Sequence, residues 1–248
     1  MFSLSFFGLA FYALVLIGAF AVRSAAGFGA VLVAVPMLAF ILPMTTAVPV
    51  ASALAVVTSI RYVSRDWRHI AWRQFAIISL YTIIGICVGF YFLRILDEHT
   101  LRRGLAFFLI IYSIYVLSTG GMPPALSSRW HSALAACAGI LGGFFGALFG
   151  GGVGPIYVIY FNILRLERDA FRATMTTVML VSAAARIVGY ASFGFYAGST
   201  LPLLALGLPL VAIGSWLGDR LAYILNPRRF SFFIGGLVMV SGVALLFK

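Results

Sequence analysis

Long runs of apolar residues alternate with short polar connections along this chain. Six of the runs are long enough for a helix to cross about 30 Å of hydrocarbon at about 1.5 Å per residue. They predict membrane-spanning helices near residues 4–22, 74–93, 104–119, 132–149, 200–218 and 230–247. This pattern is typical of a polytopic helical membrane protein.

Prolines interrupt another apolar stretch, which covers residues 30–60. A single helix over this stretch would be roughly 46 Å long, which is more than one crossing needs. The stretch contains Pro36, Pro43 and Pro49, and an internal proline kinks or ends a helix. We therefore expect a bend at residues 42–45 that divides the stretch into two short helices.

The second half of the chain contains a similar pair of apolar stretches. They cover residues 155–163 and 172–187, and the charged connection 165–169 separates them. Together with the six long runs, the two pairs predict an all-α polytopic membrane protein with about eight transmembrane segments.

The two halves match each other when they are aligned on their glycine-rich breaks. The matched pairs are Gly27 with Gly150, Gly29 with Gly152, Ser52 with Thr177, and Arg61 with Arg186. We predict two membrane repeats, 1–120 and 132–248, joined by a connecting loop at 121–131. We expect a broken or re-entrant helix at each glycine motif. If the two short helices of each half form a re-entrant pair, each half crosses three times, and we therefore expect inverted repeats.

Composition excludes a water-soluble domain. Apolar residues make up 63% of the chain and charged residues only 9%, whereas a soluble domain has about 25% charged residues. The net charge of +11 comes from arginines at the ends of apolar segments, where anionic lipid headgroups favour them. The expected partner is therefore the lipid bilayer and not nucleic acid. Arginine-rich connections at 61–73, 94–103, 165–172 and 220–229 do not all fall on one side if eight plain spans are assumed.

Neither catalytic residues nor a metal or cofactor site is expected. Cys87 and Cys137 lie inside apolar segments, and the three histidines occur singly in polar connections, without metal-ligand spacing. The glycine runs lack the Gly-Lys-Ser/Thr ending of a nucleotide phosphate loop. All six acidic residues lie in connections or at span ends, so we expect no carboxylate deep in the membrane to carry protons.

The glycine-rich breaks are the first candidates for a binding site. A helix that begins inside the membrane has N–H groups without partners and a partial positive charge at its start, which suits an anion. Glycine lets a ligand approach those amides closely. The alternative is close helix packing, to which we assign Gly142 and Gly146 because they are four residues apart. The candidate site residues are Gly27, Gly29, Gly150, Gly151, Gly152 and Gly154.

Two arginines interrupt otherwise uncharged apolar sequence. Arg23 precedes a long uncharged run, and Arg186 ends the small-residue segment 182–185. A cation held within the membrane costs at least about 2.5 kcal/mol, which makes each arginine a candidate for binding the substrate. The alternative is an arginine at a helix end whose long side chain reaches the interface.

Hydroxyl side chains near the breaks provide further candidate donors. Matching the halves puts Ser52 and Thr177 at equivalent positions, and we prefer this pair to other nearby hydroxyls such as Ser59 and Ser182. The alternative for each is a hydrogen bond to a backbone carbonyl of its own helix. The hydroxyl residues selected for the site are Ser24, Ser52, Thr176 and Thr177.

A glycine motif that contains a proline after its glycines occurs in both halves of the chain. It covers residues 27–36 and, in its second copy, residues 146–158, and a pair of small residues follows each copy, Ala51-Ser52 and Thr176-Thr177. In this pattern the chain resembles the sulfite exporter TauE/SafE family of bacterial and plant membrane proteins. The resemblance covers nearly the whole chain.

The resemblance implies transport of a small anion, often a sulfur-containing one such as sulfite, sulfoacetate or another organosulfonate. The first motif copy has Ala30 and Val31 where the family usually has glycines, which bears on the identity of the substrate. We expect a secondary transporter or facilitator in the bacterial inner membrane that holds the anion at the facing glycine-rich breaks. The alternatives are an anion channel and a transporter of a non-sulfur small carboxylate. A homo-oligomer is compatible with the sequence.

Overall fold

In the computed structural model of the chain, helix is the only regular structure among the described residues. These residues are 5–26, 29–119, 131–150, 153–196, 200–221 and 227–247. The α-helices are α1 Phe6–Ala26, α2 Ala30–Leu38, α3 Met44–Asp66, α4 Trp72–Ile95, α5 Glu98–Thr119, α6 His131–Phe149, α7 Val153–Ile163, α8 Arg168–Ser192, α9 Thr200–Leu221 and α10 Pro227–Leu246, and a 3₁₀ turn covers Trp67–His69.

The expected breaks inside the two interrupted stretches are confirmed. Helix α2 ends at Leu38, and α3 begins after Pro43, whose φ of −65° and ψ of 151° are extended. In the second half, the break between α7 and α8 contains Arg165 in the left-handed region, with φ of 50°.

The expectation that both members of each pair are short is wrong for the second member. Helices α3 and α8 have 23 and 25 residues, because polar sequence continues each helix past its apolar part. Helix α3 continues through residues 61–66, and α8 begins at Arg168, before the apolar part. Each half therefore has one short helix and one long helix next to its glycine break.

The start of α5 is capped by Asp97. Its carboxylate accepts hydrogen bonds from the backbone N–H groups of His99 and Thr100 at 3.1 and 3.2 Å and from the Thr100 hydroxyl at 2.6 Å. These bonds, above all those from Thr100, hold the pKa of the Asp97 carboxyl below its usual value and satisfy N–H groups that the first turn leaves free. The chain therefore turns sharply between α4 and α5.

In the described part of the chain, six helices are long and apolar enough to cross a membrane, which agrees with a multi-pass membrane protein. Parts of α3 and α10, Met44–Ile60 and Gly235–Leu246, are shorter apolar helices. The six candidate spans are Phe6–Ser24, Trp72–Ile95, Glu98–Ser118, His131–Phe149, Asp169–Ser192 and Thr200–Arg220.

Glycines set a close, parallel contact between α4 and α6. A Cβ at Gly139 would lie 2.5 Å from Tyr81 Cβ, and one at Gly89 would lie 2.7 Å from Ala147 Cβ. Positions further along α4 thus meet positions further along α6, so the two helices run in the same direction. Small residues allow such close approach of membrane helices.

Helices α1 and α9 make the same kind of parallel contact. The Tyr12 hydroxyl donates a hydrogen bond of 2.6 Å to the Leu203 carbonyl near the start of α9. Further along, a Cβ at Gly214 would lie 2.5 Å from the Ile17 carbonyl oxygen, and Gly218 packs on Ala21.

Two other helix pairs run antiparallel. The Tyr196 hydroxyl just after α8 donates to the carbonyl of Pro49 near the start of α3 at 3.3 Å. The N–H of Ala71, beyond the end of α3, donates to the Thr174 hydroxyl near the start of α8 at 2.9 Å. Helices α5 and α10 are also antiparallel, because Gly242 faces Leu109 and the earlier residue Gly235 faces the later residue Val116.

The main hydrophobic core surrounds the first short helix. All residues of α2 except Met37 are buried, and they pack among the facing residues of α1 and α3. A smaller cluster surrounds the second short helix, α7, with Tyr157 and Phe161 fully buried. The described residues next to the glycine breaks, Ala30, Gly150 and Gly154, are therefore buried inside the protein.

Candidate functional site

A small, partly open cavity lies where the two halves meet. Its volume is about 30 Å³, two to three times the roughly 10–15 Å³ that one water molecule requires. It lies beside the middle of α3 and of α8 and is reached by residues next to both glycine breaks. The described lining residues are Arg23, Gly29, Ala30, Val31, Ala55, Ser59, Gly150, Met179, Ser182, Ala183 and Arg186.

Arg23 connects the end of α1 to the middle of α3. Its side chain is 9% exposed. Nη1 donates a hydrogen bond of 2.9 Å to the Ala55 carbonyl, and Nη2 donates to the Ser59 hydroxyl. The Ser59 hydroxyl in turn donates to the Ala55 carbonyl at 2.9 Å. Arg23 is thus a buried cation whose guanidinium is held by the backbone and a hydroxyl of α3.

Arg186 enters the same cavity from α8 with a different set of contacts. It is 4% exposed, and its Nη1 donates a hydrogen bond of 2.6 Å to the Ser182 hydroxyl one turn earlier. Its Nε is buried and has no hydrogen-bond partner among the described residues. A buried donor without a partner is costly, so this guanidinium has capacity to bind a ligand.

The described lining of the cavity contains two arginines and no carboxylate. Arg102 and Glu98 form an ion pair near the start of α5, away from the cavity. In a low-dielectric interior two like charges raise the local potential strongly. The cavity is therefore a cationic site that suits an anion.

The start of α2 adds backbone donors to this cationic site. Gly29 adopts a left-handed conformation, with φ of 98°, directly before the first helical residue, and Ala30 and Val31 follow it into the lining. The first N–H groups of a helix have no intrahelical partner and lie at its positive end. This left-handed conformation favours glycine at position 29, because a residue with a Cβ adopts it only with strain.

Gly150 closes the site from the second half of the chain. Its φ is 73°, and a Cβ there would lie 2.9 Å from both Ser52 Oγ and Val48 Cγ1. Glycine is therefore required both for the conformation and for the close approach to α3. Ser52 is completely buried behind Gly150 and beside Tyr190, and it is not among the lining residues.

Several residues selected from the sequence lie outside the cavity lining. Thr176 and Thr177 donate hydrogen bonds of 2.8 Å to the carbonyls of Arg172 and Ala173 in their own helix, the alternative considered for hydroxyls. Gly154 is buried in the first turn of α7. Ser24 packs against Gly218 of α9.

Three selected glycines fall outside the described residues, namely Gly27, Gly151 and Gly152. Of the remaining selected residues, the structure brings Arg23, Gly29, Gly150 and Arg186 to one cavity.

Two hydroxyls that the sequence ranked below Ser52 and Thr177 bind the cavity arginines. Ser59 accepts a hydrogen bond from Arg23, and Ser182 accepts one from Arg186. For Ser182 a sequence signal existed, because residues four apart on a helix are neighbours. For Ser59 no such signal existed, because its partner lies on another helix.

The fold is that of a multi-pass helical membrane protein, and two buried arginines border its cavity. The family described as Sulfite exporter TauE/SafE matches residues 11–245, nearly the whole chain, so the chain belongs to this family of membrane transporters. No curated protein and no solved structure matches the chain.

Proposed function

We propose that this protein moves a small anion, such as sulfite, sulfoacetate or another organosulfonate, across the bacterial inner membrane by binding it in the cavity between Arg23 and Arg186. The observation that carries the proposal is that two buried arginines and both glycine breaks border one cavity whose described lining has no carboxylate. An arginine inside a membrane costs at least about 2.5 kcal/mol, and a bound anion would offset that cost for both.

The two arginines differ in what they offer to the anion. Arg23 has Nη1 and Nη2 bonded to α3, so its main contribution is charge at a fixed place. Arg186 donates from Nη1 to Ser182 and retains an unpartnered Nε. An oxyanion would therefore bind to Arg186 directly, with the N–H groups at the start of α2 as further donors.

The helix pairs support the arrangement of the chain as two inverted repeats, α1–α5 and α6–α10. In this arrangement α1 is equivalent to α6, α3 to α8, α4 to α9 and α5 to α10. The parallel pair α1–α9 is therefore equivalent to the parallel pair α6–α4, whereas α3–α8 and α5–α10 each join two equivalent helices. Equivalent helices run antiparallel in both self-matched pairs. A two-fold axis that reverses equivalent helices lies in the membrane plane, which is the inverted type of repeat.

The same helix directions sort the arginine-rich connections between two sides. In this arrangement the α3–α4 and α7–α8 connections, the end of α9 and the start of α10 lie on one side, and the α4–α5 connection lies opposite. Ten arginines of the described residues are then on the first side, where the positive-inside rule predicts the cytoplasm. They are Arg61, Arg65, Arg68, Arg73, Arg165, Arg168, Arg172, Arg220, Arg228 and Arg229.

Charge and membrane potential favour export of the anion. The described lining contains no aspartate, glutamate or histidine that would carry a proton with it. An inside-negative potential is worth about 2.3 kcal/mol per charge at 100 mV, which corresponds to an outside excess of about fiftyfold for a monovalent anion. Facilitated export therefore needs no coupling ion.

Ligand-dependent stabilisation of the purified protein tests the proposal. Sulfite, thiosulfate, sulfoacetate, acetate and chloride are added separately, and the melting temperature is measured. A ligand that binds only the folded state raises it. We expect the largest rise with a sulfur oxyanion and no rise in Arg186→Ala. The proposal fails if no anion stabilises the protein, or if Arg186→Ala responds as the parent does.

Transport in proteoliposomes distinguishes the alternatives. A transporter with one binding site shows saturable uptake and counterflow of labelled sulfite. Uptake that stays linear with concentration and shows no counterflow would favour a channel. Stabilisation and counterflow by acetate instead of sulfite would favour a carboxylate transporter.

A further inference from the structure

Met179 of α8 lies at the open part of the cavity. Of the lining residues that the structure describes, all are buried except Gly29 and Met179, which are partly exposed. Glycine has no side chain, so on the described part of the lining it is the side chain of Met179 that borders the opening.

Met179 shares one face of α8 with Arg186. Met179, Ser182, Ala183 and Arg186 all line the cavity, and their spacing along the chain puts them on one side of a helix. From Met179 to Arg186 the helix rises about 10 Å. This strip of α8 therefore has a guanidinium at one end and a thioether at the other, with the Ser182 hydroxyl and the Ala183 methyl group between them.

Beyond Arg186 the next turn of α8 is tightly packed. Tyr190 is fully buried, and its hydroxyl donates a hydrogen bond of 2.7 Å to the Ala147 carbonyl of α6. Its ring packs edge-on against Phe90 of α4, with 5.2 Å between the ring centroids. An anion bound at Arg186 therefore has room for further atoms toward Met179 and not toward Tyr190.

A packed cluster lies behind Met179. Its side chain packs against buried residues around α7, which include Tyr157 and Met175. The Tyr157 hydroxyl lies 2.6 Å from the Thr82 hydroxyl, which connects α7 to α4. A methionine side chain is unbranched and adapts to its neighbours. This cluster nevertheless leaves it no room to retract, so a larger ligand would have to displace it into the opening.

The cavity is small for an anion that carries a substituent. Its volume is about 30 Å³, which is that of two to three water molecules at roughly 10–15 Å³ each and suits a single oxyanion group. Each added methylene group needs space that Met179 occupies. One methylene group more or less in an apolar pocket changes binding by about tenfold or more.

We propose that Met179 sets the upper size limit of the anion, because its side chain ends the cavity on the side where a substituent would extend from Arg186. The inference rests on the proposed function, since it assumes that the oxyanion group binds at Arg186. Among the sulfur anions of that proposal, it favours sulfite and the smallest sulfonates over longer ones.

A series of alkanesulfonates tests this role. Methanesulfonate, ethanesulfonate and propanesulfonate share one headgroup and one charge, and they differ only in chain length. We expect their Kd for the purified parent protein, measured by titration calorimetry, to rise along the series. Met179→Ala should lower the ratio of the propanesulfonate Kd to the methanesulfonate Kd by about tenfold or more. A parent that binds all three equally, or an unchanged ratio in Met179→Ala, would overturn the inference.

Met175→Ala is the matched control, because it removes the same atoms one turn earlier on α8. Met175 is 4% exposed and belongs to the same cluster around α7, and it is not among the described lining residues. It should leave the ratio as in the parent. An equal change of the ratio in both variants would show a general loosening of α8 against α7 and would overturn the inference. If Met179→Ala does not fold, Met179→Val shortens the side chain less and should lower the ratio too, and an unchanged ratio there also counts against the inference.

The outcome for the parent protein separates the two proposals. If the parent binds sulfite and methanesulfonate but Met179→Ala keeps the same ratio, the role of Met179 is wrong and the proposed function stands. If the parent binds neither sulfite nor any sulfonate nor acetate, the proposed function fails and the inference fails with it.

Discussion

Arg23 and Arg186 are both buried, yet their surroundings give them different energetic roles. Arg23 donates to a carbonyl and a hydroxyl of α3, so it contributes to holding α1 against α3. Arg186 makes one bond within its own helix and retains a buried, unpartnered Nε. A buried charge without a full set of partners destabilises the folded state. We infer that Arg186 is retained for binding and at the expense of stability.

Replacing each arginine by methionine tests this difference. Without added anion, we expect Arg186→Met to melt at a higher temperature than the parent, because a poorly compensated buried charge is removed. Its free energy of unfolding should rise by about 1–3 kcal/mol. Arg23→Met should melt lower than Arg186→Met, because it loses its hydrogen bonds to α3. Thermal unfolding in detergent at one salt concentration measures both. An Arg186→Met protein that is as unstable as Arg23→Met would contradict this assignment.

Glycines act at the scale of whole helices by setting how closely two helices approach. On the α4–α6 contact, a Cβ at Gly143 would overlap the Thr82 carbonyl oxygen. On the α1–α9 contact, a Cβ at Gly214 would overlap the Ile17 carbonyl oxygen, and one at Gly218 would overlap the Ala21 carbonyl oxygen. The two contacts hold the long helices around the short helices α2 and α7. The positions of α2 and α7 therefore depend on how closely the long helices pack.

Gly143→Ala should therefore weaken the whole bundle. The added methyl group meets backbone atoms of α4 that have no room to move, and overpacking of this kind costs about 1–3 kcal/mol. Gly236→Ala in α10 is the control, because no atom lies within 4 Å of its Cβ position and alanine favours a helix over glycine by up to about 1 kcal/mol. Melting temperatures compare the two variants. If Gly143→Ala melts as high as Gly236→Ala, the close contact is not required.

At the scale of the molecule, the helix directions bear on three features. These are the proposed repeat, the side of the membrane on which the arginine-rich connections lie, and the cavity. Antiparallel pairing of α3 with α8 lets the middle of both helices border one cavity from opposite directions. The same pairing leaves the connections at 61–73, 165–172 and 220–229 on one side and 94–103 on the other. The proposed inverted pair of repeats would therefore account for an arginine distribution that eight plain spans do not explain.

Cysteine labelling tests the predicted sidedness. In a background with Cys87→Ala and Cys137→Ala, a cysteine replaces either Glu167 in the α7–α8 connection or His99 at the start of α5, both exposed. A membrane-impermeant maleimide added to intact cells should label His99→Cys, and it should label Glu167→Cys only after the inner membrane is permeabilised. Labelling of both positions from outside would contradict the inverted arrangement, and the reverse pattern would contradict the orientation.

The sequence by itself determined the class of the protein, most helix boundaries and four residues of the cavity. Apolar runs of membrane length, proline breaks and a charge that does not belong in lipid are local signals, because each reflects the cost of one segment or one side chain in hydrocarbon. The misplaced charges identified Arg23 and Arg186, and the glycine-rich breaks in apolar sequence identified Gly29 and Gly150.

The tertiary structure alone decided which hydroxyls meet those arginines and how the helices run. Ser59 and Tyr157 reach their partners across helices, and no spacing along the chain encodes a contact between helices. Ser52 and Thr177 match in sequence, yet one packs behind Gly150 and the other bonds to its own helix. Equivalent positions in two repeats share a backbone environment, but what their side chains contact depends on the packing of neighbouring helices.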